Sequence, residues 1–312
     1  HLDSENVEEI KKFYQREINY TMLGAIEYVS EHPSHPDSED YKKTFAALLH
    51  KISRERGLEL RNYHSELLKR RIALRLQHNN IPSYSRYIAF LSRTPGEYDR
   101  LFETLCINIS EFFRDTPVWV TIQNLLENLI HSKIKNNQNS IRIWSAGCAN
   151  GEEPYSLAVS LKEALRGITQ IPRIEILATD VDKACLNFAG KAVYSQDNLK
   201  NISPKLLARY FKLSEGKFYV KDEIKTLVNL NYLDLTSQQY PQKVDVLSCR
   251  NVFIYFNRQL QKQILDKFCD SLIPGGYLII GRSETLDSEY EHYFETIDSS
   301  AGIFQKFLKT CP

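Results

Sequence analysis

Two kinds of hydrophobic patterning divide this chain. Up to about residue 120, apolar positions recur at three- and four-residue spacing over 6–30, 41–56, 63–78, 83–93 and 96–107, the repeat of amphipathic helices. Beyond about residue 140 the pattern changes to short apolar runs separated by helical stretches, as a parallel sheet with crossover helices requires. Strands are expected at IRIWSA, IEILATD, VNLNYLD, VDVLSCRN and GYLIIGR, followed by a hairpin from about HYFETI to GIFQKFL. Helices are expected after Glu153, after Asp182 and over 258–272. The stretch EHPSHPDSED is rich in turn formers, so residues 1–42 read as an appended helix and linker. The remainder divides into a helical part, 43–125, and an α/β part, 126–312.

Composition narrows the class without naming it. The 312 residues are 42% hydrophobic and 25% charged, with a formal net charge of +1, as expected of a globular protein with no global attraction for nucleic acid. No apolar run reaches the roughly 18 residues of a bilayer span, and HLDSENVEEIKKFYQ lacks a signal-peptide core, so a cytoplasmic protein without membrane insertion is expected. The six cysteines form no CxxC pair or metal-ligand rhythm, which predicts free thiols and no metal site.

The chemistry concentrates where the sheet begins. In IRIWSAGCANGEEPYS, Gly147, Ala149 and Gly151 sit between a strand and a helix that opens on Pro154. The turn ends in two carboxylates, Glu152 and Glu153, and has neither the lysine of a GxxxxGK[ST] loop nor the spacing of GxGxxG. Acceptors at that mouth suit a ligand bearing cationic and hydroxyl groups, and S-adenosylmethionine bears a sulfonium, an ammonium and a ribose. Further polar groups fall at strand ends, the binding edge of an open parallel sheet. Asp180 closes the second strand and Asp234 the third, while Arg250 and Asn251 follow the fourth ahead of Tyr255. A helix cap would explain Asp180 alone, and a core aromatic would explain Tyr255.

Five ordered blocks, INISEFFRDTPVW, WSAGCANGEEPYS, ATDVDKACLNFA, CRNVFIYF and PGGYLIIGRSETL, resemble the CheR-type chemoreceptor methyltransferases. The likeness covers about residues 43–310 and implies S-adenosylmethionine-dependent transfer of methyl groups to glutamate carboxylates of a chemoreceptor's cytoplasmic helical bundle. The implied fold is α/β: a Rossmann-like methyltransferase sheet, a small antiparallel subdomain inserted at about 196–228, and an N-terminal all-helical domain. The resemblance also assigns roles. It places Asn108, Ser110 and Arg114 at the cofactor, with Ser110 where Thr is commoner. Glu153 falls at the methionine amino group, Asp180 at the ribose, and Asp234 with Leu235 beside adenine. Gly147, Arg250 and Asn251 line the pocket, and Tyr255 lies near the transferred methyl. Arg114 and Tyr255 are the catalytic candidates.

Substrate docking is expected on the helical part. From Lys51 to Arg75 there are eight basic residues against three acidic ones, and Arg54, Arg61, Arg70 and Arg71 are the docking candidates. A solvated charged face is the plainer reading of such a run; with the resemblance, it suits an acidic receptor bundle. Some members of the family bind a receptor's C-terminal pentapeptide by strand addition through a longer glycine-containing loop. Here YFKLSEGKFYVKDEIK has only a short Ser-Glu-Gly turn, so pentapeptide binding is not expected. A monomer with no nucleic-acid partner is expected, and a noncatalytic cofactor-binding adaptor is the alternative function, as is a methyltransferase acting on another protein or a small carboxylate.

Overall fold

A computed structural model describes residues 39–56, 60–94, 96–105, 110–237 and 239–307; the helix expected over 6–30 and the site candidate Asn108 lie outside them. The chain forms two compact units that divide between residues 107 and 108.

The first unit contains helices α1 (Glu39–Arg56), α2 (Ser65–His78), α3 (Tyr84–Arg93) and α4 (Glu97–Leu105), with a single 3-10 turn at Leu60–Asn62. These match the helical repeats in the sequence because each buries one apolar stripe: Leu48 and Ile52 from α1, Ile72 and Leu76 from α2, and Tyr87 from α3 are at most 1% exposed. Ser83 caps α3 by accepting from the amide of Arg86. One ion pair is built into this core. Glu97 is fully buried and accepts from Arg75 at 2.8 and 3.0 Å, from the Tyr87 hydroxyl at 2.8 Å and from Asn79 at 3.1 Å.

The second unit opens with a helix, α5 (Thr116–Lys135), which the sequence pattern did not single out. Its first turn, TPVWV, is β-branched and aromatic, which masks the helical repeat that follows, although Pro117 is well placed in a first turn. The expected boundary at residue 125 falls inside this helix, whose Ile122, Leu126 and Ile130 are fully buried in the core of the second unit.

Among the described residues ten strands follow: β1 (Ser140–Ala146), β2 (Arg173–Asp180), β3 (Val193–Tyr194), β4 (Phe211–Ser214), β5 (Lys217–Val220), β6 (Val228–Tyr232), β7 (Val244–Cys249), β8 (Leu272–Ile280), β9 (Phe294–Asp298) and β10 (Ile303–Lys306). Seven of them form one sheet in the order β6-β2-β1-β7-β8-β10-β9. The first five in that order run parallel, and β10 and β9 add an antiparallel end. Central strands read as continuous apolar runs because helices cover both faces. In register, Ile143 of β1 lies beside Ile176 of β2 and Val246 of β7, all without exposure. Helices α6 (Glu152–Ala164), α7 (Lys183–Lys191), α8 (Pro204–Tyr210), α9 (Asp222–Lys225) and α10 (Arg258–Ser271) complete the unit. Strand order reverses about β1, so the carboxyl ends of β1, β2, β6 and β7 share the sheet edge where such folds bind ligands.

The inserted subdomain is a three-stranded antiparallel sheet, β3-β5-β4. Its hairpin is tight: Ser214 pairs with Lys217, and the two intervening residues, Glu215 and Gly216, both have positive φ (51° and 72°). That is the backbone of a two-residue turn twisted to match its strands. The free-thiol expectation holds for the buried Cys148, Cys185 and Cys249 and fails for Cys269, which is disulfide-bonded. Sequence spacing could not show this, since pairing depends on the approach of Cα atoms in the fold. Among the described residues there is no cluster of metal-ligating side chains and no helix long and apolar enough to cross a membrane.

Candidate active site

The turn between β1 and α6 is fixed first by its backbone. Gly147 and Cys148 both donate to the Thr179 carbonyl, at 2.8 and 2.9 Å, tying the turn to the end of β2. Gly147 has φ +76°, and a Cβ there would stand 2.5 Å from a methyl of Val252, so the turn also closes against the segment after β7. Gly151 at φ +91° starts α6 against Ala189 and Tyr194.

Two of the expected carboxylates are held at this mouth by groups from the turn and its strands. Asp180, the last residue of β2, accepts the amides of Ala149 and Asp182, each at 2.8 Å. It is 9% exposed; burial raises its carboxyl above the ordinary range while the Asp182 and Ala149 amides pull the other way. Glu153 accepts the Ser145 hydroxyl at 2.7 Å, and its other oxygen lies 4.0 Å from the Arg250 guanidinium. Both side chains are therefore oriented before any ligand arrives.

Asp234 and Leu235 stand just beyond β6, which ends at Tyr232 rather than at Asp234. One Asp234 oxygen accepts the Thr236 amide at 2.7 Å, turning the chain away from the sheet, and Leu235 is buried beneath. A backbone bond from Leu233 to the Asp180 carbonyl joins this turn to the end of β2.

The segment carrying Ser110 and Arg114 is anchored by its two phenylalanines. Phe112 is fully buried, edge-on to Tyr194 and Phe211, and Phe113 packs on Trp119. Between these anchors and α5 the chain takes left-handed backbone at Phe113 and Asp115 (φ 51° and 58°). Arg250 stabilises that contorted backbone. Its guanidinium donates to the Arg114 carbonyl at 3.1 Å and to Asp115 at 2.8 Å, and it lies over the Trp119 ring at 6.0 Å. The Trp119 indole donates to the same carbonyl at 2.9 Å. The Arg250 side chain thus braces the Arg114–Asp115 turn and also stands beside Glu153.

Asn251 adopts a left-handed conformation (φ 61°), and its buried Oδ1 has no hydrogen-bond partner among the described residues. Tyr255 ends a 3-10 turn, Phe253–Tyr255, that follows directly. Among the described candidates of the second unit, Gly147, Glu153, Asp180, Asp234, Leu235, Arg250, Asn251 and Tyr255 lie on segments that end or follow the central strands, whereas Ser110 and Arg114 lie on the segment ahead of α5. Arg54, Arg61, Arg70 and Arg71 belong to the helical unit.

Sequence reasoning did not single out Asp115 or Glu284 here, and it set Glu152 beside Glu153 as an acceptor at the mouth of the turn, where the structure buries it instead. Glu152 is 1% exposed, accepts from Asn198 at 3.3 Å, and is pushed up to about 7 by burial. Asp115 pairs with Arg250, and Glu284 accepts backbone amides of the Asn251–Tyr255 segment.

The donor and acceptor set fits S-adenosylmethionine. Carboxylates at the start of α6 and the end of β2 match an ammonium and vicinal ribose hydroxyls, and the Asn251 oxygen, without a partner among the described residues, is an acceptor awaiting a donor. Comparison with known proteins agrees. Residues 108–303 match the model of the CheR methyltransferase, SAM binding domain, and residues 43–106 that of the CheR methyltransferase, all-alpha domain. The chain is 34% identical over 236 residues to a chemotaxis protein methyltransferase of Borreliella burgdorferi, covering 74% of this chain and 83% of that one. It is 31% identical over 241 residues to the chemotaxis protein methyltransferase of Escherichia coli, covering 75% and 81%. It is also 30% identical over 249 residues to chemotaxis protein methyltransferase 2 of Pseudomonas aeruginosa, covering 78% and 86%. With both family models matched in order across two compact units, the chain belongs to the CheR methyltransferases and uses S-adenosylmethionine as its cofactor.

Proposed function

We propose that this protein methylates glutamate side chains on the cytoplasmic helical bundle of a chemoreceptor. The observation that carries the cofactor half of this reading is the pair Glu153 and Asp180, oriented by Ser145 and by the Ala149 and Asp182 amides at adjoining strand ends. In it, Glu153 receives the ammonium, Asp180 the ribose hydroxyls, and Asp234 and Leu235 flank adenine. Gly147 and the backbone of Arg250 admit the ligand closely, Asn251 offers its oxygen, and Asn108 and Ser110 contribute from the preceding segment.

The cofactor supplies a methyl carbon activated by its sulfonium. A substrate glutamate is ionised near neutral pH, its ordinary pKa being about 4.3, so attack needs no general base. It needs direction: an in-line approach with the reacting atoms about 3 to 3.5 Å apart, which can account for several kcal/mol of the barrier. Arg114 can fix a carboxylate through two parallel hydrogen bonds, and the Arg250–Asp115–Trp119 set holds the Arg114 backbone for that purpose. Tyr255 orients the substrate oxygen through its hydroxyl. Exposed arginines of the helical unit guide the acidic bundle, the hairpin at Glu215–Gly216 is too short for pentapeptide capture, and the protein acts as a monomer.

Mass spectrometry of a receptor cytoplasmic fragment after incubation with the protein and S-adenosylmethionine tests the reading directly. Base-labile single methyl additions on glutamate are expected. Asp180→Ala should weaken binding of S-adenosylmethionine and S-adenosylhomocysteine alike by about 1.5 to 3 kcal/mol in calorimetry, as for a lost charged acceptor. Arg114→Lys keeps the charge and loses the planar fork, so receptor methylation should fall steeply while the fold persists. Unmethylated receptor with intact cofactor binding would instead identify an adaptor.

A further inference from the structure

The segment from Asn251 to Phe256 has no strand ladder to hold it. It leaves β7 through a left-handed residue and makes a single 3-10 turn before α10 begins. Side-chain packing holds it on one side, where Phe253 meets Phe268 edge-on at 6.0 Å. Beside the turn lies a cavity of about 320 Å³, bordered by Phe253, Gln261, Leu265, Ile280 and Thr285, so packing does not fully back it. Hydrogen bonds supply the rest. Glu284, in the turn after β8, accepts the Asn251 amide at 2.9 Å, the Ile254 amide at 3.4 Å and the Gly281 amide at 2.5 Å. Gln261 Nε2 in turn donates to the carbonyls of Phe253 and Phe256, at 2.8 and 3.0 Å. Gly281 makes room for this clamp, since a Cβ there would stand 2.7 Å from a Glu284 oxygen and 2.9 Å from the Asn251 amide.

We propose that Glu284 is a positioning residue for methyl transfer, fixing through these amides the turn that presents Tyr255, with Gln261 as its counterpart on the carbonyl side. The inference rests on the reading of Tyr255 given above. A carboxylate facing several amides is a strong, charge-assisted acceptor set. Glu284→Gln keeps the size of the side chain and turns an NH2 group or a neutral oxygen toward the same donors. The turn then loses its register by a fraction of an ångström, and displacement on the ångström scale at a reacting group costs on the order of 10²-fold in rate.

The test is a double-mutant cycle with Tyr255→Phe, read as kcat for receptor methylation beside the dissociation constant for S-adenosylmethionine. Glu284→Gln is expected to lower kcat by about 10- to 100-fold, with a much smaller change in cofactor affinity. The double variant should fall within about threefold of Tyr255→Phe alone, because residues acting through one group are not additive. Gln261→Met, which leaves the carboxylate in place, should lower kcat in the same direction by a smaller factor; it keeps the question open to measurement if Glu284→Gln folds poorly by thermal melting. Wild-type turnover in Tyr255→Phe would remove the reading of Tyr255 and this inference with it. A slow Tyr255→Phe beside a wild-type Glu284→Gln, or losses that multiply in the double variant, would overturn the inference alone. So would a loss confined to cofactor affinity.

Discussion

Glu152 and Glu153 are neighbours in sequence and opposites in environment. Consecutive helical residues point about 100° apart, so at the start of α6 one side chain turns into the protein and the other toward the strand ends. Glu153 meets Ser145 and Arg250, whereas Glu152 is buried, with Asn198 and Ser110 as hydrogen-bond partners. Burial pushes Glu152 up to about 7. A carboxyl whose pKa rises on folding favours the folded state only while protonated, so its contribution is complete below about 4.3 and is lost as pH rises toward 7. Denaturant unfolding of the wild type and Glu152→Gln at pH 5, 6, 7 and 8 should therefore show the wild type losing stability relative to the variant across that range. A difference independent of pH would place the titration elsewhere. The sequence could name Glu153 because its role lies in a local turn. It could not reveal the state of Glu152, because Asn198 and Tyr194 reach it from more than forty positions away. The same distance hid Glu284, whose partners Asn251 and Ile254 lie 33 and 30 residues back.

Among elements, those with one buried face or a demanding turn were the most readable. The expected strands IRIWSA, IEILATD and VDVLSCRN correspond to β1, β2 and β7 because central parallel strands are mostly apolar on both faces, and their few charged positions are paired, Arg142 with Glu175 across β1 and β2 and Asp245 with Lys133. Helix α5 escaped notice for the converse reason, its opening turn being built from residues that favour strands. Glycines separate two demands that look alike in sequence. Gly151 and Gly216 both have left-handed backbone, but a Cβ on Gly151 would stand 2.8 Å from that of Ala189, whereas none of the surroundings of Gly216 lies within 4 Å. Gly216→Ala should cost only the left-handed penalty, about 1 to 2 kcal/mol. Gly151→Ala adds overpacking, typically a further ~1 to 3 kcal/mol, and forces the α6 start away from Ala189. Thermal melts should rank the two variants in that order, and cofactor affinity should fall only for Gly151→Ala. Equal losses would mean that the close approach at Gly151 relaxes freely.

Over the whole molecule, the legible feature was a change of character along the chain, and the obscured one was how its charge is distributed. The run from Lys51 to Arg75 carries a surplus of basic residues in a protein of net charge +1. Much of it is already matched: Lys51 lies 2.7 Å from Glu55, Lys69 2.7 Å from Glu66, and Arg75 is bound inside the helical unit by Glu97. Arg71 is half-buried with its Nε out of solvent, so it is a poor member of the docking set. Arg54, Arg61 and Arg70 remain exposed and suited to steering. Reversing these three to Glu should raise the Michaelis constant for receptor and leave cofactor affinity unchanged, because rim charges act mainly on encounter. The wild-type association rate should also fall with salt, since the Debye length shrinks from about 10 Å at 0.1 M to about 3 Å at 1 M, and the reversed protein should respond less. Including Arg71 in the reversal should lower thermal stability, as expected when a buried guanidinium edge is replaced by a carboxylate. If the triple reversal methylates receptor with wild-type parameters at low salt, the exposed arginines are an ordinary solvated face and recognition lies elsewhere on the protein.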